Sequence, residues 1–347
     1  MSAVEQVAIA PALDTLPLVT LYLTDRCNSR CVTCDYWRHG RTNLTLAALE
    51  ARLPALRALK TRVALLSGGE PLLNPEWQAI AGRLRECGIR PWLLTSGLSL
   101  LKHASAAQRL FDAITVSLDG TLPATYAAIR GVDAFDKVCD GIRAVAALGA
   151  PVSLRVTVQR ANFRELPRFV SLARELGAAQ LSFLAVDVGN AHAFARTGPV
   201  TGGLALGVAD LPVLDALLDQ IEREHADAFA TRFIAESTAK LRRIRAYFAA
   251  LNEQGPFPAV RCNAPEFSAV IAADGRVQPC FFIPGPVRAN GVDDPDAQLN
   301  APPMRELRAA IRAGQRSECL RCVCSMWREP DARGLADFLP PAHRVIQ

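Results

Sequence analysis

Three cysteines lie close together near the start of the chain, in the stretch "TDRCNSRCVTCDYW" at 24–37. Cys27, Cys31 and Cys34 have the spacing C-x3-C-x2-C. Thiolates at this spacing are candidate metal ligands, because one short loop can present all of them to one metal group. A [4Fe–4S] cluster held by three thiolates keeps one iron open for chemistry. A zinc ion at the same thiolates would need a fourth ligand from elsewhere in the chain.

A second group of cysteines lies toward the end of the chain. Cys262 and Cys280 are followed by Cys319, Cys322 and Cys324. The chain has 10 cysteines, and clustering of this kind favours metal or cluster ligation over a disulfide framework. The region that carries the second group is small and cysteine-rich, so we expect it to need a metal or cluster to fold.

Two further cysteines stand apart from both groups. Cys87 and Cys139 lie inside stretches with helical spacing. An isolated cysteine in a helix is most often a small apolar side chain in the core. We therefore interpret both as core residues and not as ligands.

The first two thirds of the sequence alternate between short apolar runs and helical patterns. This alternation predicts a parallel sheet with helical crossovers, and so an α/β fold. Continuous apolar strands suit a sheet that is covered on both faces. Six such units fit either a doubly wound sheet or an incomplete (β/α) barrel. The predicted strands span 18–24, 62–70, 90–97, 112–120, 151–159 and 179–187.

Motif-like residues follow the predicted strands at their carboxyl ends. The cysteine loop follows the first strand, "SGGEP" at 67–71 closes the second, and Ser96 and Asp119 follow the third and fourth. Reactive residues of barrel enzymes lie at this end of the strands. The order of motifs therefore predicts one reactive face.

The Gly-rich segment after the sixth strand begins with "DVGNAHAFAR" at 187–196. Asp187, Asn190, His192 and Arg196 are polar groups that could bind a substrate or move a proton, and His192 is the best candidate for a general base. Alternatively, these side chains cap helix ends or face water.

Composition argues against two classes of partner. The net charge is +5, and no block of Lys and Arg is interleaved with aromatic residues, so we expect no nucleic acid. No apolar run approaches the roughly 18 residues of a membrane span. The N-terminus has no basic region ahead of an apolar run, which predicts a cytoplasmic protein without a signal peptide.

In its setting after the first strand, C-x3-C-x2-C resembles the signature of radical S-adenosylmethionine (radical SAM) enzymes. The resemblance implies a partial (β/α)6 TIM-like barrel whose open iron is chelated by S-adenosylmethionine. It further implies an electron donor such as flavodoxin or ferredoxin. The reduced cluster would cleave the sulfonium, and the resulting 5′-deoxyadenosyl radical would abstract a hydrogen atom from a substrate.

The resemblance also extends to motifs at later strand ends, including "AIRG" at 128–131. It implies that Gly68 and Gly69 bring the backbone close to the methionine amino group, and that Arg155 pairs with the methionine carboxylate. Thr33 stands where the family usually has an aromatic residue that touches the adenine. The residues that the resemblance implies as contacts of S-adenosylmethionine are Thr33, Tyr36, Gly68, Gly69, Glu70, Ser96, Ser117, Asp119, Arg155 and Leu184.

The C-terminal region resembles the auxiliary-cluster domains called SPASM and, in the shorter form, twitch. We expect Cys262, Cys280, Cys319 and Cys322 to hold one auxiliary [4Fe–4S] cluster with no open iron, and Cys324 to be a spare or a replacement for Cys322. A structural zinc is the alternative. The resulting division is an N-terminal extension at 1–15, the radical SAM barrel at 16–210, a helical connector at 211–258, and a cysteine-rich α+β domain at 259–347.

Three classes of function are compatible with this pattern. In the first, a small molecule is dehydrogenated and the auxiliary cluster accepts an electron. In the second, a peptide or protein side chain is cross-linked or oxidised. The predicted first strand begins at 18, which leaves little room for a preceding peptide-recognition domain and favours the small molecule. The third, a non-catalytic Fe–S redox protein, would not need the glycine and acidic motifs.

Overall fold

The computed structural model describes residues 9–191, 193–198, 200, 202–285 and 294–329. Within these residues one sheet has the strand order β6-β5-β4-β3-β2-β1-β7-β8. Neighbours from β1 to β6 run parallel, with helices in the connections, which confirms the predicted partial (β/α)6 barrel. The strands are β1 (Leu18–Thr24), β2 (Val63–Gly68), β3 (Arg90–Thr95), β4 (Ala113–Ser117), β5 (Val152–Val158), β6 (Gln180–Ala185), β7 (Ser268–Ile271) and β8 (Val277–Gln278).

Helices cover the outer face of the sheet and continue beyond it into the C-terminal part of the chain. Short 3₁₀ turns occur at Pro71–Leu73, Phe163–Glu165, Ala193–Ala195, Val208–Asp210 and Ala264–Glu266. The α-helices are α1 (Tyr36–His39), α2 (Leu46–Ala58), α3 (Trp77–Glu86), α4 (Leu100–Leu110), α5 (Pro123–Arg130), α6 (Phe135–Ala147), α7 (Leu166–Glu175), α8 (Leu211–Glu224), α9 (Ala226–Ala230), α10 (Thr238–Leu251), α11 (Pro295–Asn300), α12 (Pro302–Arg312) and α13 (Ser317–Leu320).

The main core lies between the outer face of the sheet and these helices. Phe183 on β6 packs edge-on against Phe169 on α7, with ring centroids 6.4 Å apart. On β5 the side chains of Leu154 and Val156 are buried in this core, while Arg155 and Thr157 alternate with them and are half-buried. Because successive strand residues point to opposite faces, Arg155 and Thr157 line the inner face of the barrel.

The sequence pattern also predicts a cap at Thr42 or Asn43 for the helix at 44–59 and a long helix over about 232–254, and both predictions need correction. The cap of α2 is Thr45, whose hydroxyl accepts a hydrogen bond from the Ala48 N–H at 3.1 Å, and not Thr42 or Asn43. The Thr42 carbonyl instead accepts the hydroxyl of Thr24 at 2.9 Å. The long predicted helix at 232–254 begins only at Thr238. The chain before it extends the sheet, because a parallel bridge joins 234 to residue 181 on β6.

In the cysteine-rich region the stretch at 268–282 predicts a hairpin with its turn at Asp274 and Gly275, and the structure has it, with β7 and β8 antiparallel. Its first strand also pairs in parallel with β1, from Leu18 opposite Ser268 to Leu21 opposite Ile271. The barrel and the cysteine-rich region therefore share one sheet. Within the described residues, no helix is both long and apolar enough to cross a bilayer.

Candidate active site

The cysteine loop lies against the glycines that end β2. The Gly69 N–H donates to the Thr24 carbonyl at 2.7 Å, and the Glu70 N–H donates to the Arg26 carbonyl at 2.8 Å. A Cβ at Gly69 would lie only 2.1 Å from the Arg26 oxygen. In this structure the close backbone approach that the two glycines allow is thus an approach to the cysteine loop itself.

The "AIRG" segment holds the other side of the cysteine loop. The Arg30 N–H donates to the Arg130 carbonyl at 2.9 Å, and the Val32 N–H donates to the Ile129 carbonyl at 3.0 Å. Gly131 has φ of +67°, and a Cβ there would lie 2.3 Å from the Arg30 oxygen. Only glycine fits this left-handed position at this distance, so the motif fixes the path of the loop between its first two cysteines.

The three thiols of this loop lie close enough for their charges to influence one another. Burial raises the pKa of Cys27 to about 11 and that of Cys34 to about 12, and the neighbouring thiols add to both shifts. Burial also raises the pKa of Cys31. The Arg130 guanidinium opposes the shift at all of them. A positively charged metal group would lower these pKa values more strongly than Arg130 does, because thiolate is the form that binds metal.

The donor set of the loop fits a cluster better than a single ion. Among the described residues no three His, Cys, Asp or Glu side chains are placed to hold one metal ion. A [4Fe–4S] cluster does not require such convergence, because each thiolate binds a different iron. Cys27, Cys31 and Cys34 could therefore hold a cluster with one open iron, as the sequence predicts.

Glu70 joins the ends of β2 and β3. Its side chain is fully buried. One carboxylate oxygen accepts the hydroxyl of Thr95 at 2.7 Å and the N–H of Leu72 at 3.2 Å. The other accepts both the N–H and the hydroxyl of Ser96, each at 2.7 Å. The predicted cofactor contacts Glu70 and Ser96 thus bind each other, and four donors occupy the carboxylate.

Asp119 has a similar role at the end of β4. Its carboxylate accepts the Thr157 N–H at 2.7 Å and pairs with Arg130 at 3.1 Å. Burial alone would lower the pKa of Arg130, but the charges of Cys31, Asp119 and Cys27 outweigh it and raise the pKa. The guanidinium therefore stays charged between a carboxylate and the cysteine loop.

The inner face of β4 and β5 offers polar groups next to this loop. Ser117 and Arg155 are partners in the register of the two strands. The Arg155 Nε is buried and has no hydrogen-bond partner among the described residues. A buried N–H of this kind needs an acceptor, and a carboxylate is the acceptor that a guanidinium binds most strongly. Arg155 therefore fits the predicted contact with the methionine carboxylate.

Three other predicted cofactor contacts lie in different parts of the site. Thr33 is half-buried in the cysteine loop. Tyr36 packs edge-on against Tyr22, with ring centroids 5.9 Å apart. Leu184 on β6 lines a cavity of about 490 Å³ that Cys322 also lines. The structure brings Tyr36 close to the cysteine loop and Leu184 close to the second cysteine group.

The loop after β6 connects the two cysteine groups. The Asp35 N–H, next to Cys34, donates to the Phe194 carbonyl at 3.0 Å. The Asn190 side chain donates to the carbonyl of Phe282, two residues after Cys280, at 3.0 Å. The loop therefore contacts both groups.

Asp187 and Arg196, two of the polar groups of this loop predicted to bind a substrate or move a proton, bind each other. Arg196 is buried, pairs with the Asp187 carboxylate at 3.3 Å, and donates to the Asp187 and Ala193 carbonyls at 2.9 and 3.0 Å. The Asp187 carboxylate also accepts the Asn190 N–H at 2.9 Å. These contacts hold the loop in its conformation. His192 lies outside the described residues, and the catalytic assignment of all three stays a prediction.

The second cysteine group surrounds one apolar cavity of about 490 Å³. Burial raises the pKa of Cys280 and Cys319 to about 11, and it raises the pKa of Cys322 as well; Cys262 adds to all of these shifts. The thiols are thus mutual neighbours in a low-dielectric cavity, which fits a group that binds thiolates. The cysteines that line the cavity are Cys262, Cys280, Cys319, Cys322 and Cys324.

Sequence reasoning missed one buried carboxylate on the inner face. Glu236, just before α10, accepts the Ser182 hydroxyl at 2.9 Å and the Phe183 N–H at 2.8 Å. Lys240 lies 4.0 Å from the same carboxylate. Nothing in the local sequence marks Glu236, because its role depends on the pairing of its segment with β6.

Comparison with known sequences gives one family. Residues 21–173 match the family described as the Radical SAM superfamily. A probable GTP 3′,8-cyclase of Saccharolobus islandicus is 31% identical over 172 residues, which are 47% of this chain and 54% of that protein. The pre-heme d1 synthase of Dinoroseobacter shibae is 34% identical over 169 residues, 46% of this chain and 41% of that protein. The chain thus spans about half the length of these curated relatives.

Solved structures show the same fold at low identity. Streptococcus suis SuiB bound to the precursor peptide SuiA has a TM-score of 0.64 at 15% identity, covering 86% of this chain and 67% of that one. The protein anSMEcpe with bound AdoMet and a peptide has a TM-score of 0.57 at 17% identity, covering 77% and 74%. The family match covers the cysteine loop and the motifs from β1 to α7. Residues 21–173, from β1 to α7, therefore match a radical SAM domain, of the family that uses a [4Fe–4S] cluster and S-adenosylmethionine.

Proposed function

We propose that the chain is a radical SAM dehydrogenase of a small molecule. S-adenosylmethionine would be reductively cleaved at a cluster on Cys27, Cys31 and Cys34, and the 5′-deoxyadenosyl radical would abstract hydrogen from the substrate. The substrate radical would then lose one electron to an auxiliary [4Fe–4S] cluster and one proton to a base, for which His192 is our candidate. An external donor such as flavodoxin or ferredoxin would supply the first electron.

One observation carries this proposal: two separate sets of thiols, with different numbers of donors, meet the same loop. The first set has three thiols at the strand ends of the barrel, where the buried Arg155 Nε has no hydrogen-bond partner among the described residues, and the second has five around one apolar cavity. An open site suits chemistry on a bound ligand, while a fully ligated cluster suits electron transfer.

The residues of the barrel would position S-adenosylmethionine. Arg155 would bind its carboxylate, with Ser117 beside it on the neighbouring strand. Glu70 would act indirectly, because its carboxylate is occupied by Ser96 and Thr95 and joins the turn after β2 to the end of β3. Asp119 would likewise hold Arg130 against the cysteine loop.

The names of the curated relatives support a small molecule as the substrate. Those with 31% and 34% identity are named for GTP and for pre-heme d1. The alternative, a peptide-modifying enzyme, is favoured by the fold likeness to SuiB, whose structure contains the peptide SuiA. The higher identity of the first pair leads us to rank the small molecule first.

Anaerobic reconstitution tests the chemistry. With dithionite and S-adenosylmethionine, the protein should release 5′-deoxyadenosine and contain about eight irons per chain. Absence of 5′-deoxyadenosine alongside an intact cluster would refute the enzyme and favour a redox protein. About four irons with one zinc would show that the second cysteine group is a structural zinc site.

A triple variant separates the two metal groups. Replacing Cys27, Cys31 and Cys34 with alanine should abolish cleavage and leave the absorbance of the second cluster. Persistence of cleavage in this variant would refute the assignment. To separate substrate classes, fractions of small metabolites and of peptides can each be tested for stimulation of 5′-deoxyadenosine release, and stimulation by peptides alone would favour the alternative.

A further inference from the structure

A small apolar cluster, separate from the main core, lies between the two cysteine groups. Tyr36 in this cluster lies two residues after Cys34, and Phe281 directly follows Cys280. The cluster therefore touches the chain next to a predicted ligand of each metal group. We call it the tyrosine cluster, and its members are Tyr22, Val270, Ala272, Tyr36 and Phe281.

Tyr22 is the centre of this cluster. It lies on β1 opposite Ser67 of β2, on the face opposite the buried core residues Leu21 and Leu23, so its ring is on the inner face of the barrel. Tyr36 meets it edge-on with a centroid distance of 5.9 Å and an interplanar angle of 85°. This edge-to-face contact orients the two rings relative to each other.

The tyrosine cluster reaches toward both cysteine groups through its outer members, Tyr36 on one side and Phe281 on the other. Phe281 completes the connection, because it packs on the tyrosine cluster and also lines the cavity of the second cysteine group. Packed side chains therefore run without a break from the cysteine loop to that cavity.

We propose that Tyr22, Tyr36 and Phe281 form the protein path along which one electron passes between the auxiliary cluster and the radical SAM cluster. This inference rests on the proposed function, since it needs both clusters. In the step, the reduced auxiliary cluster is oxidised by one electron and the oxidised radical SAM cluster is reduced by one. No bond breaks, and no proton moves. The electron taken from the substrate would thereby return to the cluster that cleaves S-adenosylmethionine.

The physical reason is the continuity of packing. Electron tunnelling is faster through closely packed atoms than across voids, and interior side chains are packed at the density of organic crystals. In this path the edge-to-face rings of Tyr22 and Tyr36, together with the ring of Phe281, provide the packed medium.

Freeze-quench EPR tests the path in the full reconstituted protein. The auxiliary cluster is reduced with one electron equivalent, and samples are frozen at increasing times after S-adenosylmethionine, which marks the radical SAM cluster, is added. In the double variant Tyr22→Leu with Tyr36→Leu, we expect the electron to reach that cluster about tenfold more slowly, because two rings are missing from a close-packed medium. The double variant Tyr22→Phe with Tyr36→Phe should keep the wild-type rate.

The control is Phe111→Leu. Phe111 stacks on Trp77 at 5.7 Å in the main core and is as buried as Tyr22, so its loss should leave the rate unchanged. Equal slowing in the phenylalanine and leucine variants would overturn the path through the rings, as would a wild-type rate in the leucine variant with about eight irons bound. About four irons in the wild-type protein would overturn the auxiliary cluster, and with it the path.

Discussion

Glu70 accepts the backbone N–H and the hydroxyl of Ser96 on a single carboxylate oxygen, each at 2.7 Å. The bond joins the glycine turn after β2 to the turn after β3, both of which were predicted to contact S-adenosylmethionine. Because the carboxylate is fully buried, these two turns cannot move independently. Their geometry is set by each other before any ligand binds.

Glu70→Gln should therefore destabilise the fold as well as weaken S-adenosylmethionine binding. Glutamine can accept on only one of its two terminal atoms, so donors at Ser96 or Thr95 lose their acceptor. We expect a loss of about 3 kcal/mol in the free energy of unfolding, measured by anaerobic denaturant titration. Glu175→Gln is the matched control, since Glu175 pairs with Arg168 at the surface and its replacement should change little. An unchanged unfolding curve for Glu70→Gln would refute the role of this carboxylate in joining the turns.

Gly131→Ala tests whether "AIRG" holds the cysteine loop. The new Cβ would lie 2.3 Å from the Arg30 oxygen at φ of +67°, so the loop must shift. We expect poor loading of the radical SAM cluster, seen as a loss of about half the iron after reconstitution. Gly149→Ala is the control, because Gly149 has φ of +79° and open space around it, so it shares the backbone strain without the contact. Equal iron loading in the two variants would show that the contact with the loop is unimportant.

The cysteine groups, the six strands and the motif positions were predictable from the sequence, because spacing and apolar periodicity are local signals. The strand order was not, because six such units fit either a doubly wound sheet or a barrel, and only the family resemblance implied the barrel. The pairing of β7 with β1 was not, since "SAVI" at 268–271 indicates a strand but not its partner. The cap at Thr45 was missed because Thr42 is engaged by Thr24 through a contact distant in sequence. The buried position of Glu236 depends on long-range pairing in the same way.

Arg155→Gln should weaken S-adenosylmethionine binding with little effect on the fold. The buried Arg155 Nε has no hydrogen-bond partner among the described residues, so its removal breaks no hydrogen bond of that atom there. Loss of one charged hydrogen bond to a carboxylate costs about 2 kcal/mol, which is about 30-fold in affinity. Calorimetric titration of the reconstituted protein measures it. Arg160→Gln is the control, because Arg160 is an exposed residue that pairs with Asp210. Equal affinities in the two variants would remove Arg155 from the cofactor site.

Cys322→Ala and Cys324→Ala should differ in iron content. Cys322 is half-buried and lines the cavity with the other expected ligands; burial raises its pKa, and the charges of Cys324, Cys262 and Cys280 add to the shift. We expect Cys322→Ala to lose the auxiliary cluster and retain about four irons, and Cys324→Ala to retain about eight. Iron and sulfide analysis with EPR distinguishes the variants. The reverse pattern would make Cys324 the fourth ligand and Cys322 the spare.

The ion pair of Asp187 with Arg196 offers the sharpest test of the loop after β6. Both side chains are buried, and removing one partner leaves the other as an uncompensated buried charge. If the pair folds the loop, Asp187→Asn should reduce the free energy of unfolding by about 3 kcal/mol, and adding Arg196→Gln should recover part of that loss. Asp140→Asn is the control, because Asp140 pairs with Arg143 at the surface and should cost less than about 1 kcal/mol. Unchanged stability in Asp187→Asn, together with lost substrate turnover, would instead support the catalytic prediction, since a group that only folds the loop cannot be removed without weakening it.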